Sequence, residues 1–263
     1  MNQIISAVLV VGITGLVFGI ILAFASVIFA VKKDERIGQI EEELPGANCG
    51  ACGFAGCSAY AKAVVEDGAE VNLCCVGKNP VAEKIAGIMG CEAGAVKEMV
   101  AKVMCGGNCK RASEKYTYMG LNNCASAARL AGGAKDCQYG CLGLGSCVAV
   151  CDNNAIKIKK GIAVIDPEKC GGCGKCKKAC PKNVIEIVPK EAKVHALCNN
   201  KDKGANVNKY CSVGCIGCKL CEKNCPEQAI SVVDNCAVIN YDKCTACGVC
   251  ADKCPKKLIV IQK

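Results

Sequence analysis

The chain has 263 residues and 28 cysteines, but no tryptophan, four phenylalanines, six tyrosines and a single histidine, His195. So few aromatic residues exclude a large conventional core, and one histidine excludes multi-histidine metal sites, which leaves cysteine chemistry to hold the chain together. The formal charge of +9 counts every cysteine as neutral, so it is not by itself a sign of nucleic-acid binding.

Residues 4–31 carry no charged side chain. As a helix rising about 1.5 Å per residue they would reach roughly 42 Å, more than the roughly 30 Å hydrocarbon core. A cleaved signal peptide fits poorly, because no basic residue precedes the run, the run is too long and no A-x-A site follows. Residues 1–31 are therefore expected to be a single transmembrane anchor. Lys32, Lys33 and Arg36 follow it directly. That bias puts the N-terminus outside the cell membrane and the bulk of the chain on the cytoplasmic side. Thiols there stay reduced, so the cysteines read as metal ligands rather than disulfides. Residues 32–47 continue as a polar linker helix with Ile37, Ile40 and Leu44 on one side, stopped by Pro45 and Gly46.

Cys49, Cys52 and Cys57 form a C-x2-C-x4-C motif, and a fourth ligand lies at Cys74 or Cys75, just before Gly77. Gly50, Gly53 and Gly56 let the backbone approach a cluster closely. Residues 58–65 and 80–90 read as short helices, with Pro80 at the first position of the second. Residues 48–104 are thus expected to form a small helical domain around one [4Fe–4S] cluster, with zinc as the competing reading.

The rest of the chain repeats itself. Cys147, Cys151, Cys170, Cys173, Cys176 and Cys180 recur 74 positions later as Cys221, Cys225, Cys244, Cys247, Cys250 and Cys254. Cys124, Cys137 and Cys141 keep the same step with Cys198, Cys211 and Cys215. One structural unit is used twice. Residues 105–197 and 198–263 are assigned as the two units. Cys170, Cys173, Cys176 and Cys180 precede Pro181 in a C-x2-C-x2-C-x3-C-P run, and Cys215 to Pro226 and Cys244 to Pro255 are two more copies. In such a run three close cysteines hold one cubane and the fourth holds its neighbour. Zinc would need only four thiolates and gives no reason for the third and fourth cysteines of the run. Short strands are expected at 161–165, 184–188, 229–233, 237–240 and 258–261.

The first run of the first unit departs from this pattern, with Leu144 at the middle position and Asp152 after its last cysteine. Cys137 is its natural substitute. The spacing then gives four clusters: Cys137, Cys141, Cys147 and Cys180; Cys151, Cys170, Cys173 and Cys176; Cys215, Cys218, Cys221 and Cys254; and Cys225, Cys244, Cys247 and Cys250. Cys49, Cys52, Cys57 and Cys74 hold the fifth. Five clusters, each contributing about −2 when oxidised, bring the net charge to about −1. No nucleic-acid partner is expected.

Taken together, these pieces resemble the iron–sulfur B subunits of the Rnf membrane complex, in their clostridial or acetogen form. The resemblance is carried by the N-terminal helix, by Asn48-Cys49-Gly-Ala-Cys52-Gly-Phe-Ala-Gly-Cys57 with Asn72-Leu-Cys74 downstream, by Tyr139-Gly-Cys-Leu-Gly-Leu-Gly-Ser-Cys147, and by the ferredoxin-type runs. It covers essentially the whole chain. Alignment on Gly77 favours Cys74, with Cys75 left open, and the missing proline after Cys151 is a departure from the family. The resemblance implies an α+β chain: one transmembrane helix, a small helical 4Fe-4S domain and two tandem two-cluster bacterial-ferredoxin-like units. It implies an electron-transfer subunit of an ion-translocating ferredoxin:NAD+ oxidoreductase. Soluble ferredoxin would be its donor, other Rnf subunits its partners, and Na+ or H+ the ion moved across the membrane. No flavin or NAD site is expected on this chain, which has no G-x-G-x-x-G between a strand and a helix. A free-standing membrane-bound polyferredoxin is the alternative.

Some residues fall outside the pattern. Cys91, Cys109 and Cys236 read as plain thiols and His195 as an ordinary loop or strand residue. Lys177, Lys178, Lys182, Lys256 and Lys257, beside the cluster loops, offer a steering surface for an acidic ferredoxin, or simply a solvated face. Cys105, Cys124, Cys198 and Cys211 are left over. They are the number a sixth cluster needs, but the simpler reading is unpaired thiols inherited with the duplication.

Overall fold

The computed structural model describes residues 2–28 and 34–262; within its first helix, side chains are described at 9, 10 and 12–24. That helix, α1, spans Asn2–Ile28. Among the described residues no helix is long and apolar enough to cross a membrane. The expected transmembrane anchor over residues 1–31 is thus not supported by the described helix, and residues 1 and 29–31 of that expectation lie outside the described ones.

Helix α2 (Glu35–Glu43) starts at Asp34, whose carboxylate accepts from the Arg36 N–H and pairs with its guanidinium at 2.6 Å. The bond to the guanidinium holds the Asp34 carboxyl well down, at about 2. α3 (Cys57–Glu66) and α4 (Lys78–Met89) follow, and α4 closes on Gly90 in the left-handed conformation. Pro80 stands third in α4 rather than first. Ile40 and Leu44 are buried against Tyr60, Val64 and Ile85. The segment expected as a linker is thus the third wall of the first domain, because its apolar side is covered rather than solvated.

The first repeat unit contains β1 (Met99–Val103), α5 (Cys124–Arg129), α6 (Ser146–Ala149), β2 (Ile156–Lys159), β3 (Ile162–Ile165), α7 (Lys175–Lys178) and β4 (Ile185–Pro189). The second contains β5 (Val194–Ala196), α8 (Gly204–Tyr210), α9 (Leu220–Lys223), β6 (Ile230–Val233), β7 (Cys236–Ile239), α10 (Val249–Asp252) and β8 (Ile259–Ile261). All pairing is antiparallel and in twos: β1 with β4, β2 with β3, β5 with β8, β6 with β7. Each unit is one hairpin plus one pair made by its first and last strands.

Strand pairing moves the expected boundaries. β1 falls within the stretch assigned to the single-cluster domain, yet its partner β4 lies in the first ferredoxin-like unit. β5 likewise pairs with β8 of the second unit. The register also exposes an insertion. Val103 faces Ile185 and Ala196 faces Ile259. The later partners are 74 residues apart but the earlier ones are 93 apart, so the first unit holds 19 extra residues between its opening strand and its cysteine runs. Cys109, Cys124 and α5 lie in the lengthened stretch.

Small side chains and cysteines share the cores. In the first unit Ala101, Val103, Ile156, Ala163, Val184 and Ile185 pack with Cys141, Cys147 and Cys176. In the second, Val194, Ile230, Ala237, Leu258 and Ile259 pack with Cys215, Cys221, Cys250 and Cys254. The apolar strands form walls around the thiols instead of a separate core.

Candidate metal centres

Four stretches follow one backbone path, set by left-handed residues at fixed offsets from their cysteines. Two residues after the first cysteine stand Gly143, Gly172, Gly217 and Ala246, with φ of 72°, 70°, 66° and 58°. Two residues before the next helix-borne cysteine stand Gly145, Gly174, Lys219 and Gly248, with φ of 80°, 73°, 58° and 82°. Three residues after the last cysteine stand Asn154, Asn183, Gln228 and Lys257, each with φ of 47–48°. Their N–H groups donate to the carbonyls of Cys151, Cys180, Cys225 and Cys254 at 3.1–3.3 Å, closing the turn that launches the next strand. Alternating left-handed residues curl the chain so that successive N–H groups face inward, an arrangement suited to anionic clusters.

Several sulfurs accept such N–H bonds: Cys141 from Ala163, Cys151 from Ala155, Cys170 from Ala101 and Cys225 from Ala229, all at 3.3–3.4 Å. The Cys170 bond comes from β1, which is a further reason to count that strand with this unit.

The thiols gather around cavities. Cys215, Cys218, Cys221 and Cys254 line one. Cys225, Cys244, Cys247 and Cys250 line another. Cys49, Cys52, Cys57, Cys74 and Cys75 line a third. Within the last, Cys74 is buried and accepts from the Gly77 N–H at 3.4 Å, whereas the Cys75 thiol points at the Leu73 carbonyl, 3.6 Å away. Asn48 Oδ1 accepts from the Cys57 N–H at 2.8 Å and pins the start of α3 to the loop.

In the first unit, Cys176 is buried with Cys170, Cys173 and Cys151 as neighbours. Burial pushes its thiol up to about 11. Around Cys147, pushed up by burial to about 12, stand Cys141, Cys124 and Cys180. Cys137 instead has Cys105 and Cys198 for neighbours, and burial pushes it up to about 11. Cys124 thus stands near Cys147 together with Cys141 and Cys180, where the spacing alone puts Cys137. The inserted stretch delivers it. Asn123 caps α5, and the Cys124 N–H donates to Ser146 Oγ at 2.8 Å, next to Cys147. The missing middle cysteine at Leu144 is the sequence signal that an outside ligand is needed; its source is hidden in the insertion.

Buried thiols that hold their protons so tightly become thiolates only when a metal displaces them. Among the described residues no group of three or more His, Cys, Asp or Glu is close-set enough to hold a metal ion. One zinc needs four sulfurs within about 2.3 Å of a point. A cubane carries an iron at each thiolate and spreads its ligands apart, which suits thiols ringed around cavities with N–H groups aimed at sulfur.

Four of the five lysines beside the loops make contacts within the chain. Lys177 pairs with Glu186 at 2.6 Å, Lys182 donates to the Gln138 carbonyl at 2.7 Å and Lys256 to Asn208 Oδ1 at 2.9 Å. Lys178 donates to the Cys49 carbonyl at 2.7 Å, tying the first domain to the Cys170 loop.

Comparison with known proteins matches residues 44–76 to the Fe-S cluster family, 163–186 to the 4Fe-4S binding domain and 214–258 to the 4Fe-4S dicluster domain. The B subunit of the Na+-translocating ferredoxin:NAD+ oxidoreductase complex of Acetobacterium woodii is 45% identical over 94% of this chain and 74% of its own length. Its proton-translocating counterpart from Clostridium ljungdahlii is 45% identical over 94% and 88%. The B subunit of the ion-translocating oxidoreductase complex of Methanosarcina acetivorans is 42% identical over 99% of both chains. With cysteine turns of one design repeated along the chain and relatives matched over nearly its whole length, the chain belongs to the family of B subunits of the ion-translocating ferredoxin:NAD+ oxidoreductase complexes.

Proposed function

We propose that the chain is the iron–sulfur relay of such a complex, taking electrons from reduced ferredoxin and passing them to sibling subunits that carry the flavin and NAD chemistry. The observation that carries the reading is the fourfold cysteine turn, with its inward N–H groups and walls of small apolar strands. Five [4Fe–4S] clusters are assigned to Cys49, Cys52, Cys57 and Cys74; Cys124, Cys141, Cys147 and Cys180; Cys151, Cys170, Cys173 and Cys176; Cys215, Cys218, Cys221 and Cys254; and Cys225, Cys244, Cys247 and Cys250. When bound, they supply one-electron transfer at low potential. The chain's own residues fix the ligands, exclude water with Val, Ile and Ala side chains, and set the potentials through N–H bonds to sulfur.

The reading includes a membrane anchor. It rests on the sequence, in which residues 4–31 carry no charged side chain. Leu9, Ile13, Leu16, Phe18, Leu22 and Phe24 are each more than half exposed. An apolar surface of that extent needs a covering, and lipid supplies one. Lys32, Lys33 and Arg36 after it favour a cytoplasmic bulk.

The test is purification of the full chain from membranes under anaerobic conditions with its partners. The expected result is co-purification with flavin-containing subunits and ferredoxin-driven NAD+ reduction that Cys173→Ser abolishes. A chain that purifies from membranes alone supports the free-standing polyferredoxin instead, and an unaffected rate in Cys173→Ser removes the relay.

A further inference from the structure

Lys135 is buried, yet the relay proposed above gives it no part. Its ammonium donates to three carbonyl oxygens: Gly107 at 2.8 Å, Cys141 at 2.7 Å and Gly161 at 3.2 Å. Three acceptors take the three protons that a charged lysine carries and a neutral amine lacks. No carboxylate is among them. Asp136, the next residue, accepts instead from the Ser113 hydroxyl. Taking an ammonium out of water is costly unless negative charge lies nearby, and carbonyl dipoles replace only part of its hydration.

The backbone holds this side chain in place. The Lys115 N–H donates to the Ala134 carbonyl at 2.7 Å and the Asp136 N–H to the Ser113 carbonyl at 3.1 Å, one on each side of Lys135. The carbonyls it reaches belong to the surroundings of one proposed cluster. Cys141 is a ligand of that cluster. Gly161 leads into β3, whose Ala163 N–H donates to Cys141 Sγ at 3.4 Å. Burial pushes the Cys141 thiol up, and the charge of Lys135 pulls the other way. The repeat does not reproduce the arrangement. Lys209, 74 residues after Lys135, is exposed on α8, where water and salt screen its charge.

We infer that Lys135 is a fixed positive charge that raises the reduction potential of the cluster proposed at Cys124, Cys141, Cys147 and Cys180. The inference rests on the iron–sulfur reading of the chain. Reduction adds one electron, supplied by the ferredoxin of that reading, and so adds one negative charge to the cluster. A buried cation favours the more negative state, and the low dielectric of the interior leaves the attraction poorly screened. Lys135 neither gives nor takes a proton in the step. Its three bonds also tie the Gly107 stretch, the cluster loop and the β2–β3 turn together, so the charge has to be separated from the staple by experiment.

The test is an EPR-monitored redox titration of the full-length chain, purified anaerobically in detergent, with iron counted in every variant. In Lys135→Met one component should become harder to reduce by about tenfold in its equilibrium constant, about 59 mV for one electron, with iron unchanged. Lys135→Gln, which keeps amide donors without the charge, should shift alike. Lys135→Arg should keep the wild-type potential, as should the surface control Lys209→Met. Adding Lys135→Met to Cys147→Ser, which removes the cluster in question, should move nothing further. Unshifted potentials with iron intact overturn the inference and leave the proposed function standing. So does a shift in Lys135→Arg as large as in Lys135→Met, or a shift that survives in the Cys147→Ser background. Loss of about four irons in both neutral variants, with iron kept in Lys135→Arg, makes Lys135 a staple and overturns it too. A wild-type chain without iron and sulfide overturns both readings.

Discussion

Gly172 has φ of +70°, and a Cβ there would come within 2.4 Å of the Met99 carbonyl oxygen. The obstacle is backbone of β1 and cannot swing aside. Gly172→Ala should therefore push β1 off the Cys170 loop, break the Ala101 N–H bond to Cys170 Sγ, and cost about four iron atoms per chain. Ala246 occupies the corresponding left-handed place in the second unit, at φ of 58°. Ala246→Gly should keep its iron and gain up to about 1 kcal/mol, because a left-handed alanine carries a strain that glycine does not. Iron analysis and thermal unfolding of the two variants check this; iron retained in Gly172→Ala would refute the close approach. At this scale the sequence is legible wherever ligands lie in runs, because the C-x2-C-x2-C-x3-C spacing encodes the turn itself. Cys124 is not legible, since it reaches Cys147 across an insertion that spacing does not measure. Cys236 reads as a plain thiol in the sequence because its contact with the Cys198 carbonyl arises only from tertiary packing.

Elements meet at the outer strand pairs. β3, β4, β6, β7 and β8 fall on strands expected from the sequence, whereas β1, β2 and β5 do not; β1 and β5 pair only with strands distant along the chain. α2 is recognisable as a helix with one apolar side, but the surface covering Ile40 and Leu44 comes from α3 and α4. On β5, His195 is buried, with Nδ1 3.1 Å from the Tyr241 hydroxyl and Nε2 3.1 Å from Gln262 Oε1. Burial holds its pKa below the ordinary 6.5, and the charge of Lys102 on β1 pushes the same way. The unfolded chain then binds a proton at higher pH than the folded one. The stability this contributes is complete above about pH 6.5 and is lost as the pH falls below that. His195→Gln should flatten the decline in unfolding temperature between pH 7 and pH 5. An identical decline in both proteins would show that the histidine is not coupled to folding.

Across the whole molecule the proposed cluster sites lie along one chain of contacts. The first domain meets the Cys170 loop through Lys178 and the Cys49 carbonyl. Lys175, paired with Asp152 at 2.6 Å, feels both Cys173 and Cys49. The proposed Cys170 and Cys141 sets share the first unit, and the proposed Cys215 and Cys225 sets share the second. Duplication makes this legible as two units; the junction between them is not, because the segments that meet there are distant along the chain. The formal +9 also takes on meaning at this scale, since the five proposed clusters of about −2 each would turn the net charge to about −1. The most direct measurement is an anaerobic titration of the full-length chain with chemically reduced ferredoxin, followed by EPR. Several electrons per chain should leave the ferredoxin, and spin-coupled signals should appear as neighbouring stations fill. Ferredoxin that stays reduced, or a chain that accepts a single electron and shows one isolated signal, would contradict a relay of clusters in series.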